Sequence, residues 1–172
     1  EVRMMLSSFA TSEANHAHSY SLLNDTIGLP DKEYKAFQEY KEMSEKVDFM
    51  MASNTSTKRG MALALAKSVM NEGVSLFASF IMLLNFQRFG KMKGCGKIVE
   101  WSVRDESMHV EGISHLFRAF CSENASIVDN DLKKEIYEMS SKVVELEDKF
   151  IDLAYKMGEP EGLPKEDVKN YI

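Results

Sequence analysis

The chain has 172 residues, about the size of one domain, and 44% of them are hydrophobic, enough for one sizeable core, which excludes wholesale disorder. Acidic side chains outnumber basic ones by 27 to 21, the net charge is −6 and there is no basic block, which argues against nucleic-acid binding. The three prolines are Pro30, Pro160 and Pro164, so residues 31–159 contain none. This favours helices over a turn-rich β fold.

The chain opens at Glu1 and stops at Ile172, and we expect it to be the central part of a longer subunit. Cys95 and Cys121 cannot form a disulfide framework in a chain of this size, and the sequence shows no signal peptide. We therefore expect reduced thiols and a cytoplasmic location.

The N-terminal third predicts two helices. Residues 1–27 should form a helix that ends before Gly28, with Asp31 placed to cap the next one. That second helix, 32–52, carries charged side chains along one face and apolar ones at helical spacing, so we expect a solvated face without a partner. The polar residues 53–57 should break the chain before the third helix.

The third predicted helix, 58–89, is the most apolar and is ended by Gly90. Its longest uncharged run, 73–87, has 15 residues, which is shorter than the ~18 that a membrane-spanning helix needs. We therefore expect a buried core helix.

Glycines at 94–96 predict a turn before a fourth helix over 97–122. A fifth, amphipathic helix is predicted over 129–157, and Pro164 should begin another. No stretch shows the alternation of apolar and polar residues that is typical of strands. The pattern predicts an all-α fold, an antiparallel helix bundle that takes in the whole chain as a single domain.

Two Glu-x-x-His pairs lie on separate predicted helices: Glu13 with His16, and Glu106 with His109. Residues three apart share one face of a helix, so each pair can direct a carboxylate and an imidazole to the same point. One pair alone is typical of a solvated ion-pair face. Two pairs, on helices separated by a helical hairpin, indicate a metal site.

Glu72 is a further candidate ligand. It is the only acid in 63–86, where the only other charge is Lys67. A carboxylate inside a buried helix is costly unless something compensates its charge. A bound metal ion would compensate several carboxylates at once, and a core ion pair with Lys or Arg is the alternative.

Carboxylates with imidazoles suit iron or manganese, whereas structural zinc sites more often use cysteines. Dinuclear carboxylate sites in four-helix bundles take two Glu-x-x-His pairs and one acid from each of two further helices. The chain supplies five of those six ligands. We expect the sixth on a helix before Glu1, because Asp25, Asp31 and Asp48 lie at helix ends or on the polar face of the second helix.

Three segments resemble the small, radical-generating subunit of class I ribonucleotide reductase: 13–20, 71–74 and 104–109. The 34-residue step from Glu72 to Glu106 agrees with the spacing in that family. The similarity continues to the end of the chain, and the combined motifs are far more specific than either Glu-x-x-His pair alone. The resemblance implies a ferritin-like helix bundle.

The resemblance also implies roles for matching positions. Tyr20 would be the tyrosine that is oxidised to a stable radical, in a pocket lined by Leu76 and Phe80. Asp105 would link a ligand histidine to the radical-transfer path. The implied ligands of a dinuclear metal centre are Glu13, His16, Glu72, Glu106 and His109.

In function, the resemblance implies a metal pair, iron or with manganese in place of one or both ions, that reacts with oxygen to oxidise Tyr20. A large subunit would use the radical to reduce ribonucleotides to deoxyribonucleotides. The small subunit would be a homodimer, without nucleic-acid or membrane partners. The family's upstream acidic ligand, relay tryptophan and docking tail lie outside this sequence, so we expect these 172 residues alone to be inactive in nucleotide reduction.

Two other classes use the same double Glu-x-x-His bundle: iron oxidation and storage of ferritin or bacterioferritin type, and a di-iron oxygenase or desaturase. Tyr20 and the Arg-Asp-Glu segment at 104–106 favour the reductase. His18 and His115 do not fit the ligand pattern and are expected at the surface or in the core, and Trp101 is expected to pack.

Overall fold

The structure is a computed structural model that describes all 172 residues apart from the side chain of Phe37. Its described residues form helices and no strand, which confirms the predicted all-α class. The helices are α1 (Val2–Ile27), α2 (Ala36–Glu39), α3 (Lys41–Met51), α4 (Lys58–Met70), α5 (Phe77–Arg88), α6 (Lys93–Glu123), α7 (Asn130–Lys156) and α8 (Lys165–Tyr171). The central helix α6 packs against α1, α4 and α5, and α7 packs against α3, α4 and α8.

Helix α1 ends as predicted at Gly28. This glycine adopts the left-handed conformation (φ 77°), and its N–H donates to the carbonyls of Asn24 and Asp25, which satisfies two groups at the end of the helix. No residue of α1 is fully buried, since the helix packs on the rest of the chain mainly through α6.

The single helix predicted over 32–52 is wrong. A 3-10 turn (Asp31–Lys35) leads into the short α2, and α3 begins only after Tyr40, whose backbone is extended (φ −91°, ψ 120°). The N-cap position is occupied by Pro30 rather than by Asp31, so the predicted capping role of Asp31 is wrong. The break comes at the extended Tyr40, whose N–H still donates to the Ala36 carbonyl and whose own carbonyl accepts from Met43 and Ser44 at the start of α3.

The predicted apolar helix 58–89 exists but changes its winding in the middle. The Thr57 hydroxyl caps its start by accepting from the Gly60 N–H. Between α4 and α5 the chain forms a wide turn of π type (Asn71–Ser75), called the π turn below, and Glu72 lies in it. Such turns inside helices are frequent at functional sites. By length and composition alone Lys58–Arg88 could cross a membrane, but it packs against α6 and α7, as the core helix of a bundle does.

The turn predicted at 94–96 is also wrong. The chain reverses earlier, at Gly90 (φ 69°) and Met92 (φ 47°), and α6 already begins at Lys93. Gly96 instead faces the Gln87 side chain of α5: a Cβ there would lie 1.4 Å from the Gln87 amide nitrogen, so that side chain would have to move to make room for any other residue. Cys95 is consequently buried in the first turns of a helix, rather than lying in a loop.

Two apolar clusters form the core. One is centred on Ala78, Ile151 and Val168, which are fully buried and join α5, α7 and α8. The other is centred on Phe80, Cys95 and Val99, where α5 meets α6. The predicted helix over 129–157 is confirmed, with the Asp129 carboxylate accepting from the Leu132 N–H at its start.

Replacing Ile151 by Ala should lower the free energy of unfolding by about 2–5 kcal/mol, because it leaves a cavity at a fully buried position. Chemical denaturation measures the change. Val144→Ala on the same helix, at a partly exposed position, is the matched control and should cost less than about 1 kcal/mol. Equal losses in the two variants would contradict this assignment of the core.

Candidate metal centre

The two Glu-x-x-His pairs face each other across the contact between α1 and α6. Nδ1 of His16 lies 3.2 Å from Oε1 of Glu106, and Nδ1 of His109 lies 3.2 Å from Oε1 of Glu13. Within the α6 pair, Nδ1 of His109 is 3.1 Å from Oε2 of Glu106. Each imidazole is therefore close to a carboxylate of the other helix, as the three-residue spacing predicts.

Glu72 joins this group from the π turn. Its Oε2 lies 3.8 Å from Nδ1 of His109, and one ligand atom each from Glu13, Glu72, Glu106 and His109 can be chosen so that all lie within 4.8 Å of one another. The π turn lies directly on α6, since a Cβ at Gly73 would be only 3.2 Å from the Val110 side chain.

Lys67, the only basic residue near Glu72 in sequence, does not reach it. Its ammonium group donates to the backbone carbonyls of Phe49 and Ala52 at the end of α3. Among the described residues, no Lys or Arg forms an ion pair with Glu13, Glu72 or Glu106. The structure thus gives no support to the alternative of a core ion pair.

The imidazole of His16 has one ring nitrogen directed to the group and the other directed away from it. Its Nδ1 faces Glu13 (3.6 Å) and Glu106, whereas its Nε2 lies 3.3 Å from Oδ2 of Asp105. A carboxylate that holds the far nitrogen of a histidine fixes the tautomer and the ring orientation of a metal ligand. Asp105, predicted from the resemblance to act behind a ligand histidine, is therefore within hydrogen-bond range of His16.

The charge of the group fits a cation. Glu106 is only 2% exposed, and its pKa is raised to about 9 because burial and the neighbouring carboxylates of Glu72, Glu13 and Asp105 all disfavour a further negative charge. Oxygen and imidazole donors in this number suit iron or manganese. The residues present therefore fit the predicted metal centre in both donor chemistry and charge.

Phe9 is a member of the site that sequence reasoning missed. Its ring lies 4.2 Å from the His109 ring, centroid to centroid, and covers one side of this imidazole. Its position one turn before Glu13 on α1 was the available signal. The Glu13 side chain is 51% exposed, so the group is open to solvent at this carboxylate.

Tyr20 lies beside this group in an apolar pocket. Its hydroxyl donates to Oγ of Ser102 (3.0 Å), and its ring packs on the cluster around Phe80, to which Leu76 also belongs. Burial raises the pKa of the Tyr20 phenol, and the hydrogen bond with Ser102 offsets part of that rise. Ser102, 1% exposed, was not predicted, because a serine within a helix carries no distinctive signal.

The remaining candidates lie outside the group. His18 and His115 are exposed, in keeping with their exclusion from the ligand set. Trp101 was expected to pack, but it is 55% exposed, with the Lys97 ammonium 5.8 Å above its ring. This position falls on the solvent side of α6, one turn before Asp105. The three aspartates considered as a sixth ligand are exposed and lie apart from the group: Asp25, Asp31 and Asp48.

A bundle of long helices that gathers carboxylates and imidazoles at the contact of α1, the π turn and α6 belongs to the class of helical proteins with a carboxylate–histidine centre. In fold, the chain is similar to a putative class I ribonucleotide reductase from Bacillus halodurans, with a TM-score of 0.89 at 20% identity over 97% of this chain and 62% of that one. This likeness shows a ferritin-like helical bundle.

The sequence comparisons identify the family. The model of the family described as "Ribonucleotide reductase, small chain" matches residues 1–172, so the chain belongs to that family. It is 43% identical to a probable ribonucleoside-diphosphate reductase small subunit of invertebrate iridescent virus 3, over all of this chain and 51% of the relative. It is 29% identical to a ribonucleoside-diphosphate reductase subunit beta of Chlamydia pneumoniae, over 86% of this chain and 46% of the relative. The chain thus spans about half the length of these curated relatives.

Ser102→Ala should raise the pKa of Tyr20 further, so that the phenol loses its proton only at higher pH. The reason is that the serine hydroxyl can turn and donate to the phenolate, which favours the charged form. The measurement is tyrosinate absorbance against pH, with the titration of a Tyr20→Phe variant subtracted. Ser107→Ala, which removes an exposed hydroxyl on the same helix, should leave the Tyr20 titration unchanged. An unchanged or lowered pKa in Ser102→Ala would argue against the hydrogen bond.

Proposed function

We propose that this group of side chains binds a dinuclear metal centre of iron, manganese or both. Its protein ligands would be Glu13, His16, Glu72, Glu106 and His109. The observation that carries the proposal is the convergence of Glu13, Glu72, Glu106 and His109, with the His16 imidazole 3.2 Å from Glu106, at a partly buried point where no Lys or Arg among the described residues forms an ion pair. A bound cation would offset the burial and the repulsion among the carboxylates that together raise the pKa of Glu106.

We propose that Tyr20 is the residue oxidised at this centre. The bound metal, with oxygen as oxidant, would supply the oxidising power. The chain supplies a neutral phenol, kept protonated by burial, and Ser102 as the hydrogen-bond partner of its oxygen. Leu76 and Phe80, in the cluster against which the Tyr20 ring packs, would keep water and reductants away from the radical. Asp105, facing Nε2 of His16, would connect the centre to the path of radical transfer.

The names of the relatives support a role in deoxyribonucleotide synthesis. They are described as small or beta subunits of ribonucleoside-diphosphate reductase. We propose that a homodimeric subunit containing these residues passes its radical to a large subunit, which reduces ribonucleotides to deoxyribonucleotides. Iron storage and oxygenase chemistry use similar bundles, but the family match over the whole chain and the sheltered Tyr20 favour the reductase.

Metal binding is the first test. His109→Ala should weaken Mn²⁺ binding at least about tenfold, since it removes a buried ligand, and loss even of a residue behind a ligand typically costs that much. Electron paramagnetic resonance of free Mn²⁺ during titration measures the affinity. His115→Ala, at an exposed position on the same helix, is the control and should bind as the wild type does. Equal Mn²⁺ affinity of His109→Ala and His115→Ala would contradict the proposed site.

With five ligands present, we expect one tight and one weak metal position per chain.

The radical is the second test, made in a full-length subunit that carries these 172 residues. After anaerobic loading with Fe²⁺ and exposure to oxygen, we expect a tyrosyl radical signal by electron paramagnetic resonance. Tyr20→Phe should abolish this signal, because no phenol remains at that position. Tyr34→Phe removes an exposed phenol outside the site and should leave the signal intact. A subunit that binds iron but yields no radical would rule out the role of Tyr20.

A further inference from the structure

A second group of buried charges lies on the other side of the π turn. Glu147, on α7, is fully buried, and its Oε2 is 2.5 Å from Nζ of Lys46 on α3. The Lys46 side chain is only 16% exposed, and its ammonium lies 4.6 Å above the Phe150 ring. The sequence predicted that α3 presents its charges to solvent, and Lys46 contradicts this.

The neighbouring charges of α3 behave as predicted, which sets Lys46 apart. Lys41 and Glu45 pair on the surface, and Glu42 pairs with the exposed Lys156. Such exposed pairs contribute little to stability. Lys46 instead lies between three elements, and burying it with Glu147 is costly unless the contacts are well made.

The third element is the π turn itself. The Lys46 ammonium also donates to the backbone carbonyl of Ser75, the last residue of the turn, and Ser75 is buried. The winding changes at the next residue, Leu76 (φ −103°, ψ −19°), where the wide turn gives way to α5. Ser75 lies three residues after Glu72, so a group that fixes its carbonyl also limits how the Glu72 segment can shift.

We propose that Lys46 and Glu147 are positioning residues for Glu72. Glu147 holds the ammonium from α7, and the ammonium holds the Ser75 carbonyl, so the π turn keeps its winding and presents Glu72 to the metal centre. This inference rests on the proposed metal-binding function. It assigns to the ion pair a role in geometry, in agreement with the observation that apolar replacement of a buried ion pair often leaves stability unchanged.

The decisive variant is the double substitution Lys46→Met/Glu147→Leu, which removes both charges and keeps similar volumes. The double change avoids leaving one buried charge unpaired, because an unpaired buried charge would strongly destabilise the chain whether or not the pair positions Glu72. Lys142→Met/Glu145→Leu makes the same chemical change in an exposed pair on α7 and is the matched control.

Two measurements are made on each variant. In the Lys46/Glu147 variant, hydrogen exchange of the metal-free chain should be at least about tenfold faster for the amides of residues 71–80, in the π turn and the start of α5. Exchange in α6 and α7 should stay unchanged. Mn²⁺ binding should be about 10–100-fold weaker, with an altered electron paramagnetic resonance line shape of the bound ion. The control variant should match the wild type in both measurements.

Each other result overturns a defined part of the proposal. Exchange at 71–80 equal to that of the wild type would show that the ion pair does not hold the π turn. Faster exchange spread evenly through α6 and α7 would show a general structural role, and faster exchange at 71–80 with unchanged Mn²⁺ affinity would show that Glu72 is not positioned by it. Failure of the wild type to bind Mn²⁺ would instead refute the proposed metal function, while the exchange result would still decide whether the pair holds the π turn.

Discussion

The main physical constraint on this structure is that three carboxyl groups lie close together. Carboxylates from α1, the π turn and α6 share one small space with two imidazoles, and the chain offers them no basic side chain among its described residues. An ordinary core would not tolerate this, because buried charges without partners are strongly unfavourable. The unfavourable free energy of ionising this carboxyl is seen in the pKa of Glu106, which burial and the neighbouring carboxylates raise to about 9. Under the proposed function, a divalent cation at this point would replace the proton and offset the three carboxylates together.

The helices are shaped around this constraint. Three separate segments must approach one point, which requires small residues at the contacts and a local change of winding. Gly112 lets α1 approach α6, since a Cβ there would lie 2.8 Å from the Phe9 ring. Gly73 lets the π turn lie on α6, and the wide turn gives Glu72 a direction that a regular α-helix would not give it. The site is therefore built by departures from regular packing, which agrees with the general rule that functional sites are where local regularity fails.

Sequence reasoning succeeded where the signal is local and periodic. Long apolar periodicities and three-residue Glu-x-x-His spacings depend only on helix geometry, and the structure contains the long helices and brings Nδ1 of His16 within 3.2 Å of Glu106. It failed where the outcome depends on distant contacts. Nothing in the sequence around Gly96 shows that the Gln87 side chain lies against it, so a glycine inside a helix resembled a turn. The extended residue Tyr40 likewise breaks a segment whose composition is compatible with one continuous helix.

The two buried glutamates show why residue type and burial alone do not define a site. Glu106 and Glu147 are both nearly or fully inaccessible, both lie on amphipathic helices, and burial raises the pKa of each. They differ in partners. Glu147 has one lysine partner, whose ammonium offsets part of the rise in its pKa that burial causes, while its other oxygen, Oε1, has no hydrogen-bond partner among the described residues. Glu106 has further carboxylates and two imidazoles around it and no Lys or Arg partner among the described residues, which is the setting that the proposed metal ion would fit. The difference between the two glutamates comes from Lys46 on α3. This lysine is 101 residues from Glu147 in sequence and contacts it only in the folded chain.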